Sequence, residues 1–309
     1  MKNTFVKFLP LLALALATLG SCEDLVLQDN ESDGLNSASL LSSCGSFGYA
    51  DSVYYYKEQS TPYVVSPLTA RAGTYSAYPD GLSINPATGA INVNLSESGL
   101  KYRVSFLATG STDTCKTTVI ISGVNYLSAV YNLSTTNILA KPYYNAQRNL
   151  APPCNDDDEE EEEEEEEEDD DGCEFDDGDD DDDGDGTGDE PPSGQQIRPL
   201  GVEIDTENGI IDLQKTVSNG TFGSTPVSGS SQTFRIYYRI DDASNKALNY
   251  TDVKIHYYNT LADVPASLLN EINEKNGATL RKRQVDNGRS MAATVRPPHI
   301  VIVGRESSL

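Results

Sequence analysis

Asp179, Asp181, Asp183, Gly184 and Glu190 satisfy the D-x-D-x-D-G-x5-E spacing of a calcium loop. Carboxylate oxygens at alternate positions can wrap a hard cation, and the glycine permits the sharp turn between them. The surroundings dilute the signal. Gly186 stands where an apolar residue is usual, no amphipathic helix flanks the spacing, and a segment this acidic satisfies such a pattern by chance. Calcium is one reading, and diffuse divalent binding is another. Between Asp156 and Glu190 lie 27 of the chain's 49 acidic residues and no Lys or Arg, while the other 22 are matched by 22 basic residues. The net charge of -27 therefore resides in one segment, unbroken from Asp156 to Asp171. Adjacent carboxylates in extended chain stand ~3.4 Å apart, well inside a Debye length of ~8 Å, so they repel and gather counter-ions. Like charges four residues apart also oppose helix, and the sequence predicts a disordered acidic loop. Its electrostatic partner is a cation, a basic surface or the chain's own basic patch, Arg281-Lys282-Arg283, and nucleic acid is disfavoured.

Little else has the makings of a site. Tyr54-Tyr55-Tyr56 could stack on sugar rings, but a sugar platform usually recruits Trp, which this chain lacks. The only histidines are His256 and His299, and no Cys and His spacing suggests zinc. Neither GxSxG nor HExxH is present, nor is a phosphate-binding glycine loop, so we expect no enzyme. Two convergent acids could in principle form a glycosidase pair, but small sandwich cores argue against it.

The N-terminus speaks to location. Lys2 and Lys7 precede an apolar stretch, Phe8 to Leu19, too short to span a bilayer as a mature helix. Leu19-Gly20-Ser21-Cys22 resembles the lipobox of bacterial lipoproteins. That resemblance implies cleavage before Cys22, lipidation of Cys22 and a stable anchor at the cell envelope, at the outer membrane or cell surface. Export into an oxidising compartment makes two disulfides the expectation for Cys44, Cys115, Cys154 and Cys173. Four cysteines allow three pairings, of which proximity favours Cys154 with Cys173 and leaves Cys44 with Cys115.

The elements around these residues repeat. Residues 81 to 94, GLSINPATGAINVN, align without a gap on residues 201 to 214, GVEIDTENGIIDLQ, at an offset of 120. Each reads as two alternating strands around a turn whose glycine takes positive φ. Tyr102, Val104 and Phe106 then alternate with polar neighbours, as do Phe234, Ile236, Tyr238 and Ile240. Val119 with Ile121, and Val253 with Ile255 and Tyr257, mark the next strand of each copy. Upstream, Val53-Tyr54 with Pro62 echoes Val130-Tyr131 with Pro142 at offsets of 77 and 80. The jump from 80 to 120 places the acidic segment as one loop inserted in the second copy. After Tyr258 the texture changes: Leu268, Leu269 and Ile272 have helical spacing behind Pro265, and His299 to Val303 reads as a strand added to a sheet edge.

PDGLSINPATGAINV, followed by Gly99, YRVSF and Cys115-Lys116-Thr117-Thr118-Val119, resembles the Ig-like or cadherin-like repeats of Bacteroidetes surface proteins, related to the putative-Ig family. The resemblance covers residues 44 to 122 well and 128 to 258 loosely, and it implies extracellular structural or adhesive modules with no catalytic residues. Copy two departs from it at Asn208 and in its cysteines and insert. The expected fold is all-β: tandem Ig-like β-sandwiches with a disordered acidic loop insertion and a small C-terminal helix plus strand. The expected boundaries are a signal peptide 1–21, a tether 22–36, Ig-like domains 37–125 and 126–258 with the acidic insertion at about 150–195, and an extension 259–309. The expected function is a lipid-anchored structural or adhesive envelope protein. Glycan binding for polysaccharide uptake and calcium capture by the insert are the alternatives, and other surface proteins or glycans are the expected partners.

Overall fold

The computed structural model describes residues 44–45, 47–136, 138–154, 172–176, 195–276 and 297–304. Over these the fold is all-β, with few helical residues. In the first half run β1 (Val53–Tyr54), β2 (Val64–Val65), β3 (Gly73–Tyr78), β4 (Ile91–Asn92), β5 (Leu100–Ala108) and β6 (Thr114–Ile121). Then come β7 (Val124–Tyr126), β8 (Ala129–Asn132), β9 (Leu139–Ala140), β10 (Pro142–Tyr144), β11 (Glu174–Phe175), β12 (Ile211–Asp212), β13 (Ser230–Arg239), β14 (Asn249–Tyr258) and β15 (His299–Val303). Helices α1 (Leu213–Ser218) and α2 (Ala266–Asn276) complete the set.

The first half builds a four-stranded sheet in the order β1-β6-β5-β3, with β2 paired to β4. The second builds a five-stranded sheet in the order β11-β13-β14-β15-β8, with β9 paired to β12 and β7 to β10. Period-two alternation drives both sheets. Tyr102, Val104 and Phe106 of β5 turn inward to full burial, and Phe234, Ile236 and Tyr238 of β13 do the same. Each set belongs to a separate hydrophobic cluster, one per half, apart from Phe106, which packs with Tyr75 and Cys115.

The offset of 120 is a structural equivalence. Gly89 and Gly209 accept no side chain: φ is 73° and 71°, and a Cβ would stand 2.6 Å from the ring of Tyr75 in one case and of Phe175 in the other. The ring-bearing residues are themselves matched, since Tyr75 N–H donates to Pro86 O (2.8 Å) and Phe175 N–H to Thr206 O (2.7 Å). Tyr49 caps the first turn through Gly89 O at 2.6 Å, and Tyr126 caps the second through Gly209 O at 2.5 Å. Equivalence runs past the visible sequence match: Ser83 N–H donates to Ser96 Oγ as Glu203 N–H donates to Thr216 Oγ1, each at 3.0 Å.

Four expectations change. The turn segments close on single bridges, Ile84 to Ile91 and Ile204 to Ile211, where the sequence predicts two alternating strands around the turn. Past Asp212 the second copy is helical, because the Asp212 carboxylate accepts Lys215 N–H at 2.9 Å and caps α1, whose Leu213 still reaches full burial. Pro62 and Pro142 are not equivalent: Pro142 pairs with Tyr126 in β10, whereas Val65 and Ala140 occupy matching places opposite Ile91 and Ile211. Finally, β15 is not at an edge. It is an interior strand, parallel to β14 and to β8, with all five residues buried. Ile300 and Ile302 enter the second core, and Val301 and Val303 pack with Leu268 and Ile272 of α2 on the opposite face. A run apolar on both faces suits a strand covered on both sides.

Candidate functional site

The acidic segment is not one loop. Residues 172–176 lie between its two halves, and β11 within them is a core strand, pairing Glu174 with Arg239 and Phe175 with Tyr238. Phe175 is fully buried and stacks on Tyr238 at 5.8 Å between centroids. Glu174 meets Arg239 Nε at 3.3 Å. The equivalence of Phe175 with Tyr75 splits the insertion into two parts, one on each side of this strand.

Both parts are closed at their roots. Before β11, a disulfide joins Cys154 to Cys173 with Cα atoms 5.0 Å apart, bracketing the run from Asp156 to Asp171. After it, the buried Asp176 carboxylate accepts Ile197 N–H at 2.8 and 2.9 Å and Arg198 N–H at 2.9 Å. Backbone donors at a short 3-10 turn, Arg198–Leu200, thus hold a carboxylate that would otherwise be costly to bury. The second run therefore leaves and returns at one point. Residues 155–171 and 177–194 lie outside the described residues, and with them Asp179, Asp181, Asp183, Gly184 and Glu190. Cys22 and Arg281-Lys282-Arg283 lie outside as well. The signal for β11 was present in the sequence: Cys173 and Phe175 interrupt an otherwise acidic and glycine-rich stretch.

The other cysteines are also bridged, Cys44 to Cys115, with Cα atoms 5.3 Å apart. Tyr54-Tyr55-Tyr56 is not a flat exposed row. Tyr54 is buried in the first core and its hydroxyl accepts Asp51 N–H at 2.9 Å, while Tyr55 and Tyr56 are half-buried. Burial pushes the Tyr54 and Tyr56 hydroxyl pKa values up.

A polar seam joins the halves. Tyr238 Oη, wholly buried, accepts Val124 N–H at 3.0 Å and shares a hydrogen bond with Ser98 Oγ at 2.9 Å. Desolvation raises the Tyr238 pKa, so the group is a neutral hydroxyl. Asp242 accepts from Tyr144 Oη at 2.8 Å and from Ser122 Oγ at 3.0 Å, and Asn125 Nδ2 donates to Glu97 Oε1 at 3.1 Å. Backbone bonds from Ala146 to Gly99 (2.9 Å) and Asn145 to Gly123 (3.1 Å) reinforce it. None of these pairings stood out in the sequence, because each residue lies far along the chain from its partner.

Sequence reading also left the two histidines without a role. They are in contact: His256 Nε2 lies 2.9 Å from His299 Nδ1, and His299 Nε2 lies 3.2 Å from Glu271 Oε1. The Glu271 carboxylate only accepts, so His299 donates from Nε2 and, while neutral, accepts at Nδ1 from His256 Nε2–H. The array ties β14, β15 and α2 together. Burial first, then the adjacent His299 and Lys254, lowers the His256 pKa from 6.5 to about 4, against the opposing pull of Glu271. Among the described residues, no three His, Cys, Asp or Glu side chains are grouped as a metal ion would require, and no helix is long and apolar enough to cross a membrane.

No protein-family model and no curated protein matches the sequence. Among solved structures, the crystal structure of human protocadherin-24 EC1-2 overlays on 67% of this chain and 93% of its own, with 7% identity and a TM-score of 0.21. An overlay at that score carries no argument about this chain.

Proposed function

We propose that this is an exported envelope protein, lipid-anchored through Cys22, whose two β units are tandem Ig-like sandwiches serving as a structural or adhesive module without catalysis. The observation that carries the reading is the duplicated, disulfide-bridged β unit with a hydrogen-bonded seam, a build suited to holding a rigid body away from a membrane. Closing chain segments with sequence separations of 71 and 19 stabilises by ~4 and ~3 kcal/mol respectively in the loop-entropy account. Such bridges persist in oxidising compartments, which agrees with export. Cys22→Ser should abolish fatty-acid labelling and move the protein from the membrane to the soluble fraction of the producing cell. Unchanged partitioning rejects the anchor. Beads coated with the ectodomain should bind cell-envelope material, and beads that capture nothing reject the adhesive role.

A second reading is divalent-cation capture, supported by two acidic runs rooted at the two ends of one short strand. Calorimetric titration with calcium should lose its heat when residues 155–171 and 177–194 are replaced by short neutral linkers that spare Gly172 to Asp176. Equal heats with and without the acidic runs reject it.

A further inference from the structure

The two halves differ at one place that the repeat does not explain. In the first, β1 lies directly against β6, with Val53 opposite Ile120 and Tyr54 opposite Ile121. In the second, the corresponding strands β8 and β14 are held apart by β15, so that Ile300 faces Ala129 on one side and Ile255 on the other. The repeated unit thus offers a slot for a strand that it does not itself contain.

That slot is hydrogen-bonded to its occupant at both ends, and the side chain of His299 is read at one of them. At one, His299 N–H donates to Ser128 Oγ at 3.0 Å, the His299 ring meets His256 and Glu271, and Lys254 N–H donates to Pro298 O at 2.9 Å. At the other, Gly304 N–H donates to Tyr258 O at 2.8 Å and Leu133 N–H to Val303 O at 3.0 Å. Between them all five side chains are buried, on two opposite faces. A strand of different sequence would leave voids in both faces and leave the buried His256 without the ring partner it has here. The fitting occupant is residues 299–303, from this chain or from another copy of it. Neither described disulfide holds β15, and 22 residues, 277–298, separate it from α2. Fully extended, such a tether would reach up to ~75 Å.

We propose that β15 is exchanged between copies, the slot between β8 and β14 of one molecule being filled by residues 299–303 of a second. Exchange conserves every contact in the slot, so what opposes it is the effective concentration of the tethered strand, on the order of millimolar for short tethers. Crowding chains together favours it. The proposal concerns self-association and is independent of what the module binds.

The test uses the full chain in two versions, Val130→Cys and Val301→Cys, which replace direct partners across β8 and β15. They are unfolded, mixed, refolded at rising concentration and mildly oxidised. Exchange gives a disulfide-linked heterodimer whose share rises about tenfold per tenfold increase in concentration while it is the minor species. A chain carrying both substitutions closes the bridge internally when dilute, which shows that the substitutions permit folding. For the unsubstituted chain, sedimentation should detect a dimer that excess peptide of residues 297–304 converts to monomer. The proposal is overturned by a closed internal bridge with no heterodimer, by an unsubstituted chain that stays monomeric at every concentration, or by a dimer that ignores the peptide.

Discussion

Acidification should weaken this protein through His256 in a way that one substitution can isolate. In the folded chain the His256 pKa is lowered from 6.5 to about 4. In the unfolded chain the imidazole takes its proton near pH 6.5, so between these values the unfolded state holds more protons and stability falls as pH falls. The contribution is intact above pH 6.5 and is lost in full by pH 4. A shift of that size corresponds to ~3 kcal/mol, and because the imidazole is not wholly enclosed, solvent screening brings the expected loss to about 1–2 kcal/mol. The geometry gives the same sign: both rings cannot be imidazolium at once without setting two N–H groups against each other across 2.9 Å. The charged and titratable groups around His256 are Lys254 and Tyr258 on β14, His299 on β15 and Glu271 on α2. The acidic residues on either side of β11 also titrate, and relief of their repulsion acts in the opposite direction, so total stability against pH is uninformative. The difference between wild type and His256→Gln is informative, because Gln keeps an N–H donor and does not titrate. Urea unfolding at pH 7 and pH 4 should show wild type losing about 1–2 kcal/mol more than the variant. Equal losses would refute the assignment.

Three further outcomes follow from the repeat and the loop roots. Gly209→Ala, placed at φ 71° with Phe175 2.6 Å from the new Cβ, should lower stability by ~2–4 kcal/mol in urea unfolding, and Gly89→Ala should do the same against Tyr75. Asp176→Asn, leaving the Ile197 and Arg198 N–H groups with one acceptor oxygen in place of two, should cost ~2 kcal/mol and speed amide exchange at both residues. Replacing Cys154 and Cys173 together by Ser should lower stability by up to ~3 kcal/mol and leave the Cys44–Cys115 bridge detectable by peptide mapping.

Local pattern reached the strands well. The alternation at Tyr102 to Phe106 and at Phe234 to Ile240, and the paired Gly89 and Gly209 turns, are each a matter of neighbours a few residues apart. The same local logic misled at β15, where HIVIV reads equally as an edge or an interior strand until something covers its second face. It misled again at Glu174 and Phe175, where a two-residue core strand is swamped by the composition around it. The polar seam and the His256, His299 and Glu271 array were illegible for a different reason. Their members stand tens of residues apart or more, as Ser98 does from Tyr238, and no spacing rule connects them.

The acidic segment shows where the division falls. The sequence by itself determined its charge, its position inside the second repeat and the calcium-like spacing at Asp179 to Glu190, because composition and spacing need no partner. Only the tertiary structure decided that it is two runs rooted on one strand. That depends on Phe175 filling the place beneath Gly209 that Tyr75 fills beneath Gly89, and on Asp176 finding backbone donors twenty-one residues away, contacts that exist only once the chain has closed on itself.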